Sequence, residues 1–467
     1  MMAKTKQALM MEKTEQGAMM EKKVRAVSEG TGRSILLAAA VLLAAGAGAR
    51  TFDVTAYGAK ADGVTDNTAA IQKAIDACTA AGGGQVLVPG GGTYITYTLY
   101  LKSNVDLHLD RGATLKGGDD PLKFPEFAHS EHWNVERVPR FNKRAMFYTV
   151  AQRNVSITGN GTIDGNADGF HVAVPNAKPG QPKFKRKSDT LITGRCMLFV
   201  ACTDVRVDDI FIYHPCGWCT WFLDCDRVQC RGVRIECHPQ YPNGDGLHFG
   251  GCRDVTVSDC IIHSQDDSLI IRTHQEQMKK PRPCERVTIQ NCVLSANQSA
   301  IRFGWTEDYA MRDVVVSGIV CQHSRLGVQF YLPPNNDEFH IDPPRDRKNG
   351  ILPPPAGTVL PFSVENVQFS NMIMCSDNAP IQVTIADTEN VDFIRNISFS
   401  NCRFTSGLPP IFRVRPQDNV RDWRFSDVTF TVNPKTAHQK LRLEDLGFRN
   451  CRNFTFDNVV WDWKSED

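Results

Sequence analysis

Three aspartates, Asp245, Asp266 and Asp267, fall in two short stretches, "NGDGLHF" (243–249) and "QDDSLIIR" (265–272). Clustered carboxylates can share proton-transfer work or hold a cation. Singly, each stretch is turn chemistry leading into an alternating apolar run, because Asn, Asp, Gly and Ser tolerate tight backbone geometry. A site requires the two stretches to be neighbours in space, so the architecture decides.

The chain has 467 residues, 42% of them apolar and 22% charged, with a formal net charge of +1. That is globular composition, and the balanced charge offers no field for nucleic acid. Residues 1–49 read as a signal peptide and leader. "RSILLAAAVLLAAGAGA" follows Lys22, Lys23 and Arg25, begins at Arg33 and closes on Ala47-Gly48-Ala49, which is a basic lead, a short apolar run and a small-x-small end. The expected product is secreted or periplasmic, with no membrane segment after cleavage. Residues 50–467 read as one catalytic domain with a Pro-rich inserted loop at 335–357.

From about residue 150 one pattern returns: "VSITGNGTI" (155), "VRVDDIFI" (205), "VTVSDCII" (255), "VTIQNCVL" (287), "ISFSNCRF" (397) and "FTFDNVVW" (454) among others. Each is an apolar strand of period two, a polar pair with Asn, Asp or Gly, and a second strand. Repeats of this length without helical pattern, rich in Val, Ile and Phe, predict an all-β solenoid, a parallel β-helix. "DNTAAIQKAIDACTAAGGG" (66–84) predicts a helix capped by Asp66 or Asn67, which would cover the first rung. Of the sixteen cysteines, Cys260, Cys292 and Cys402 recur at one repeat position, where a small buried thiol fits. "CGWC" (216–219) lacks a βαβ setting and reads as core or a local disulfide.

Stacked rungs lie about 4.8 Å apart. Aligning "DGLHFGG" with "DSLIIRT" sets Leu247 under Leu269, Phe249 under Ile271, and Asp245 under Asp267. Two carboxylates at that spacing repel, and no structural need places them there. The next rungs put Ser299 above Asp267, Arg302 above Ile270, Gln329 above Arg302, and Tyr331 above Gly304 and Arg272. Acid, guanidinium, amide and phenol thus gather on one outward face, a groove suited to a polymer.

From "FDVTAYGAKADGVTDNTAAIQKAI" through "LYLKSNVDLHLDRGATLKGGDDP" and "GNGTIDG" to the last rungs, the chain resembles glycoside hydrolase family 28, the polygalacturonase family of right-handed parallel β-helices. The family's Asn-Thr-Asp motif matches Asn243-Gly244-Asp245, with Gly for Thr, and its Gly/Gln-Asp-Asp motif matches Gln265-Asp266-Asp267 in full. Gly-His-Gly would fall at Gln298-Ser299-Ala300 and Arg-Ile-Lys, which reads the substrate carboxylate, at Gln329-Phe330-Tyr331; neither is present. The resemblance implies an inverting glycosidase without cofactor or metal, Asp266 being the acid and Asp245 and Asp267 holding the attacking water. Inversion needs room for that water.

The expected enzyme is a monomer acting on a pectin-like or other acidic or decorated polysaccharide. Asn243, His248, Arg272, Arg302, Trp305, Gln329 and Tyr331 are its expected substrate contacts. With both reader cations absent, activity on unbranched polygalacturonate should be low and Arg302 should matter more than Gln329. Two other classes share this fold: a polysaccharide lyase, with a cation between Asp245 and Asp267, and a glycan-binding protein without chemistry. His214 and His274 lie near the same groove, and "KFKRK" (183–187) reads as a solvated loop or a contact to an acidic glycan.

Overall fold

The computed structural model describes residues 50–138, 143–177, 183–188, 194–306, 308–333, 360–387, 389–434, 448 and 450–464. The leader at 1–49 and the Pro-rich stretch at 335–357 lie outside the described residues. The unit from Thr51 onward is a right-handed parallel β-helix.

One wall is a nine-stranded parallel sheet whose spatial order is its chain order. Its strands are β1 (Ala145–Val150), β2 (Arg195–Val200), β3 (Trp218–Leu223), β4 (Leu247–Gly250), β5 (Leu269–Arg272), β6 (Ser299–Phe303), β7 (Leu326–Leu332), β8 (Ile381–Ile385) and β9 (Ile411–Arg413). The other walls are parallel strands joined from rung to rung in a second, 22-stranded set. The register of β4 on β5 pairs Leu247 with Leu269 and Phe249 with Ile271, as the sequence alignment requires.

The rungs are held by two ladders. Inside, Phe199, Phe222, Phe249, Ile271, Phe303, Phe330, Val383 and Phe412 form one buried column of successive strand partners. Their rings stack where they meet, 5.2 Å between Phe199 and Phe222 and 4.9 Å between Phe303 and Phe330. At the corners, the polar pairs adopt the left-handed conformation that Asn and Asp tolerate. There they hydrogen-bond upward: Asn396 donates to Asn366 at 2.6 Å, and Asn401 to Asn371 at 2.8 Å. All sixteen cysteines are free. Cys260, Cys292 and Cys402 are buried in the interior as expected, and so are both cysteines of "CGWC".

The predicted helix forms as α1 (Thr68–Ala80) and buries Ile71, Ala74, Ile75 and Cys78 against the first rungs. Asp66 accepts the Thr68 N–H at 3.1 Å, while Asn67 ties back to Lys60 and Thr65. The opposite end is different. Among the described residues, the strand Arg452–Trp463 pairs on one side only and exposes Phe456, Val460, Trp461 and Trp463.

Both ladders should register in stability. Phe399, fully buried and stacked on Phe369 and Phe425, should cost about 3–5 kcal/mol on truncation to Ala. Asn396→Ala loses a corner hydrogen bond and a left-handed preference, and should cost about 1 kcal/mol. Thermal or urea melts of both variants measure the difference.

Candidate active site

Each catalytic candidate sits at the turn that launches a strand of the nine-stranded wall. Asp245 precedes β4, Asp266 and Asp267 precede β5, and Ser299 opens β6. Gly246 makes the approach possible: a side chain there would come within 2.2 Å of the Ser268 carbonyl on the next rung. Gly244, at the position of the family's Thr, lies where a Cβ would meet Cys237 and Gln265 at 3.0 Å. The bulky neighbours explain the smaller residue.

The three carboxylates converge, with one oxygen from each within 4.8 Å of the others. Asp245 and Asp267 are buried, and Asp266 is partly exposed. Asp245 Oδ2 is buried without a hydrogen-bond partner among the described residues. Asp267 accepts the Ser299 N–H at 2.8 Å and forms an ion pair with Arg302. Arg302 in turn lies 4.7 Å over the Trp305 ring, and Trp305 meets Tyr331 edge-on at 5.2 Å.

Crowding separates the acids electrically. Burial, and then repulsion from Asp267, push Asp266 up to about 7, against the pull of Arg302. Burial and the two neighbouring carboxylates raise Asp245 well above the usual range. Such groups titrate as a unit, and a carboxyl that keeps its proton near neutral pH is suited to general-acid work. The same cluster is the one group among the described residues able to hold a metal ion. Arg302 already supplies a positive charge there, which disfavours a cation on Asp267.

The remaining expected contacts divide. Asn243 lies beside the carboxylates, two residues before Asp245, and accepts from Arg186 at 2.5 Å. Trp305 and Tyr331 are partly exposed around Arg302. Arg272 is instead buried, with Nε 2.9 Å from Asp308. Gln329 is buried too, its Oε1 accepting from Ser299 Oγ at 2.6 Å. His248 shares a column with Arg302 but is fully buried, its Nε2 2.9 Å from that of His274. Burial and Arg272 hold both imidazoles well below their usual range, so both are neutral. His214 stacks on Tyr213 at 3.8 Å.

One contributor is not singled out in the sequence, the Ser299 backbone N–H, while Arg186 enters there only within the basic run at 183–187. Ser299 was placed above Asp267 by register, yet a backbone donor leaves no mark in residue type. "KFKRK" is not simply a solvated loop. Phe184–Arg186 is a strand paired antiparallel with His171–Ala173.

Residues 78–303 match the family model described as glycosyl hydrolases family 28. The chain is 26% identical over 325 residues to an exo-poly-alpha-D-galacturonosidase of Dickeya chrysanthemi, covering 61% of this chain and 52% of that protein. It is 25% identical over 234 residues to polygalacturonase QRT2 of Arabidopsis thaliana, covering 49% of this chain and 48% of that one. The chain thus spans about half the length of these curated relatives. Among solved structures, it resembles a hyperthermoactive exopolygalacturonase from Thermotoga maritima, with a TM-score of 0.68 at 19% identity over 88% of this chain and 92% of that one. It also resembles a polygalacturonase from Erwinia carotovora, with a TM-score of 0.55 at 16% identity over 86% and 94%. At such identities these structures attest the β-helix.

The raised acid has a thermodynamic signature. A carboxyl with a folded value of about 7 against an unfolded 3.8 binds its proton more tightly when folded. Folding stability therefore falls as pH rises from about 4 to about 7 and stays reduced above. Asp266→Asn removes that penalty, so its melting temperature should exceed the wild type's by more at pH 8 than at pH 4.5. Calorimetry at the two pH values measures it.

Proposed function

From the assignment of this chain to glycoside hydrolase family 28, supported by the family match and its polygalacturonase relatives, we propose that the protein hydrolyses glycosidic bonds in a pectin-type, acidic or decorated polysaccharide. The observation carrying this reading is the convergence of Asp245, Asp266 and Asp267, in which burial and mutual repulsion raise Asp266 to about 7 and Asp245 well above the usual carboxylate range.

In this mechanism Asp266 gives its proton to the glycosidic oxygen. The C1–O bond breaks with its electron pair going to that oxygen. Water held by Asp245 and Asp267 attacks C1 from the opposite face and passes its proton to that pair. The sugar is released with inverted configuration. Inverting enzymes usually keep acid and base roughly 6.5–9.5 Å apart. Here the nearest carboxylate oxygens are tighter, so inversion depends on the water sitting to one side of the cluster between Asp245 and Asp267. Arg302 orients Asp267 and balances its charge, which makes it a positioning residue. Gln329 acts one step further out, through Ser299. This revises the expectation that Arg302 would read a substrate anion: its guanidinium is already engaged by Asp267.

Asp266→Asn should lower turnover by roughly 10²–10⁴-fold, the usual worth of a general acid, with the fold intact. Near-normal hydrolysis by the purified variant removes Asp266 from the mechanism. Wild-type kcat should decline on the alkaline side near pH 7, where Asp266 loses its proton, and Asp266→Asn should lose that limb. A first-formed anomer matching the substrate's would overturn inversion. Chelator should leave the rate unchanged; unsaturated, ultraviolet-absorbing products that vanish with chelator would establish the lyase instead.

A further inference from the structure

The two arginines expected to meet a substrate anion are both engaged by the protein's own carboxylates, Arg302 by Asp267 and Arg272 by Asp308. A third arginine, Arg186, approaches the turn before Asp245 from a strand outside the rungs. Arg186 ends the strand Phe184–Arg186, whose register on its partner strand sets Arg186 opposite His171 and Phe184 opposite Ala173. Rings and a backbone contact fix this strand pair against the β-helix. Phe184 packs edge-on against Tyr241 at 5.2 Å and His238 at 5.5 Å, and Lys187 Nζ donates to the Gly169 carbonyl at 2.7 Å. Tyr241 is itself sandwiched between His171 at 4.2 Å and His238 at 3.7 Å.

So held, Arg186 Nη2 donates to Asn243 Oδ1 at 2.5 Å. The next residue, Gly244, accepts the N–H groups of Gln265 and Asp266 through its carbonyl, at 2.8 and 3.1 Å. The guanidinium therefore stands beside the turn that carries the acid, one rung below it, while Arg302 stands one rung above. We propose that Arg186 is a specificity residue of the cleft, receiving the carboxylate of an acidic sugar next to the bond being cleaved. The site fits an anion for a plain reason. Three clustered acids repel an acidic sugar unless a cation flanks them, and a guanidinium offers paired donors matched to a carboxylate. The charge also bears on Asp266 itself, opposing the rise caused by burial. Binding of an anionic sugar would offset that influence and strengthen the acid's hold on its proton. The inference rests on the glycosidase reading above and names the substrate chemistry of that same site.

Two acidic probes test it, trigalacturonate and a tetrasaccharide of alternating rhamnose and galacturonate, each compared with its carboxyl-reduced, neutral counterpart. The readouts are kcat/KM for the wild type, Arg186→Gln and Arg186→Lys, and Kd for the same three in an Asp266→Asn background. For whichever probe is cleaved, the wild type should favour the acidic form by about tenfold or more. Arg186→Gln should erase most of that preference by losing on the acidic form alone, and Arg186→Lys should retain part of it. A preference that survives Arg186→Gln, a wild type without preference, or equal losses on acidic and neutral forms overturns the inference while leaving hydrolysis by the three aspartates standing. A wild type that neither cleaves nor binds any of the four probes overturns the glycosidase reading on these sugars and this inference with it.

Discussion

Every feature of this molecule is tied to the stacking of parallel rungs, roughly 4.8 Å apart. A residue in one rung cannot choose its neighbours; it receives the residues one turn before and one turn after. Inside, that rule lines up phenylalanines until they stack. At the corners it lines up asparagines until each amide bonds the next. On the outer face it forces Asp245 and Asp267 into one column, where like charges would ordinarily be avoided. The fold supplies the closeness, and Gly246 removes the one side chain that would prevent it.

The charge arrangement follows from that closeness. Three carboxylates packed together cannot all ionise near neutral pH, so protonation becomes unequal between them. Arg302 meets Asp267 from the rung above, while burial and the neighbouring carboxylates raise both Asp245 and Asp266. Behind them, neutral His248 and His274 and the Arg272–Asp308 pair form a buried polar wall. It adds little net charge and gives the carboxylates a fixed backing. The wall's residues resemble substrate contacts by type, yet their work is support.

This explains what the sequence disclosed and what it concealed. Columns were legible because the register is set by apolar alternation: Leu247 on Leu269 carried Asp245 onto Asp267, and Ile270 carried Arg302 into the column of His248. What a polar residue does once in its column was not legible. Gln329 and Arg272 occupy outward columns and are nonetheless buried, Gln329 bonded by Ser299 and Arg272 turned onto Asp308, and other parts of the outer face are covered by segments that belong to no rung. The segment at Phe127, Trp133, Val135 and Val138 packs on Leu198, Trp221 and Met278. Periodicity is silent about such coverings. For the same reason the strand bearing Arg186, which belongs to no rung, could be read from sequence as a basic run, a solvated loop or a contact to an acidic glycan, but not placed beside Asn243.

The position of a rung within the stack sets how firmly it is held. Helix α1 packs on the first rung, whereas among the described residues the strand Arg452–Trp463 has one strand neighbour and exposes Phe456, Trp461 and Trp463. In a nearest-neighbour stack, a rung held by two interfaces opens less readily than a rung held by one. The strands launched by the three aspartates, with the strand of Arg302, are the fourth, fifth and sixth of nine in their wall. The carboxylate cluster thus lies on rungs clasped from both sides, so neighbouring interfaces on each side hold the spacing of the acids.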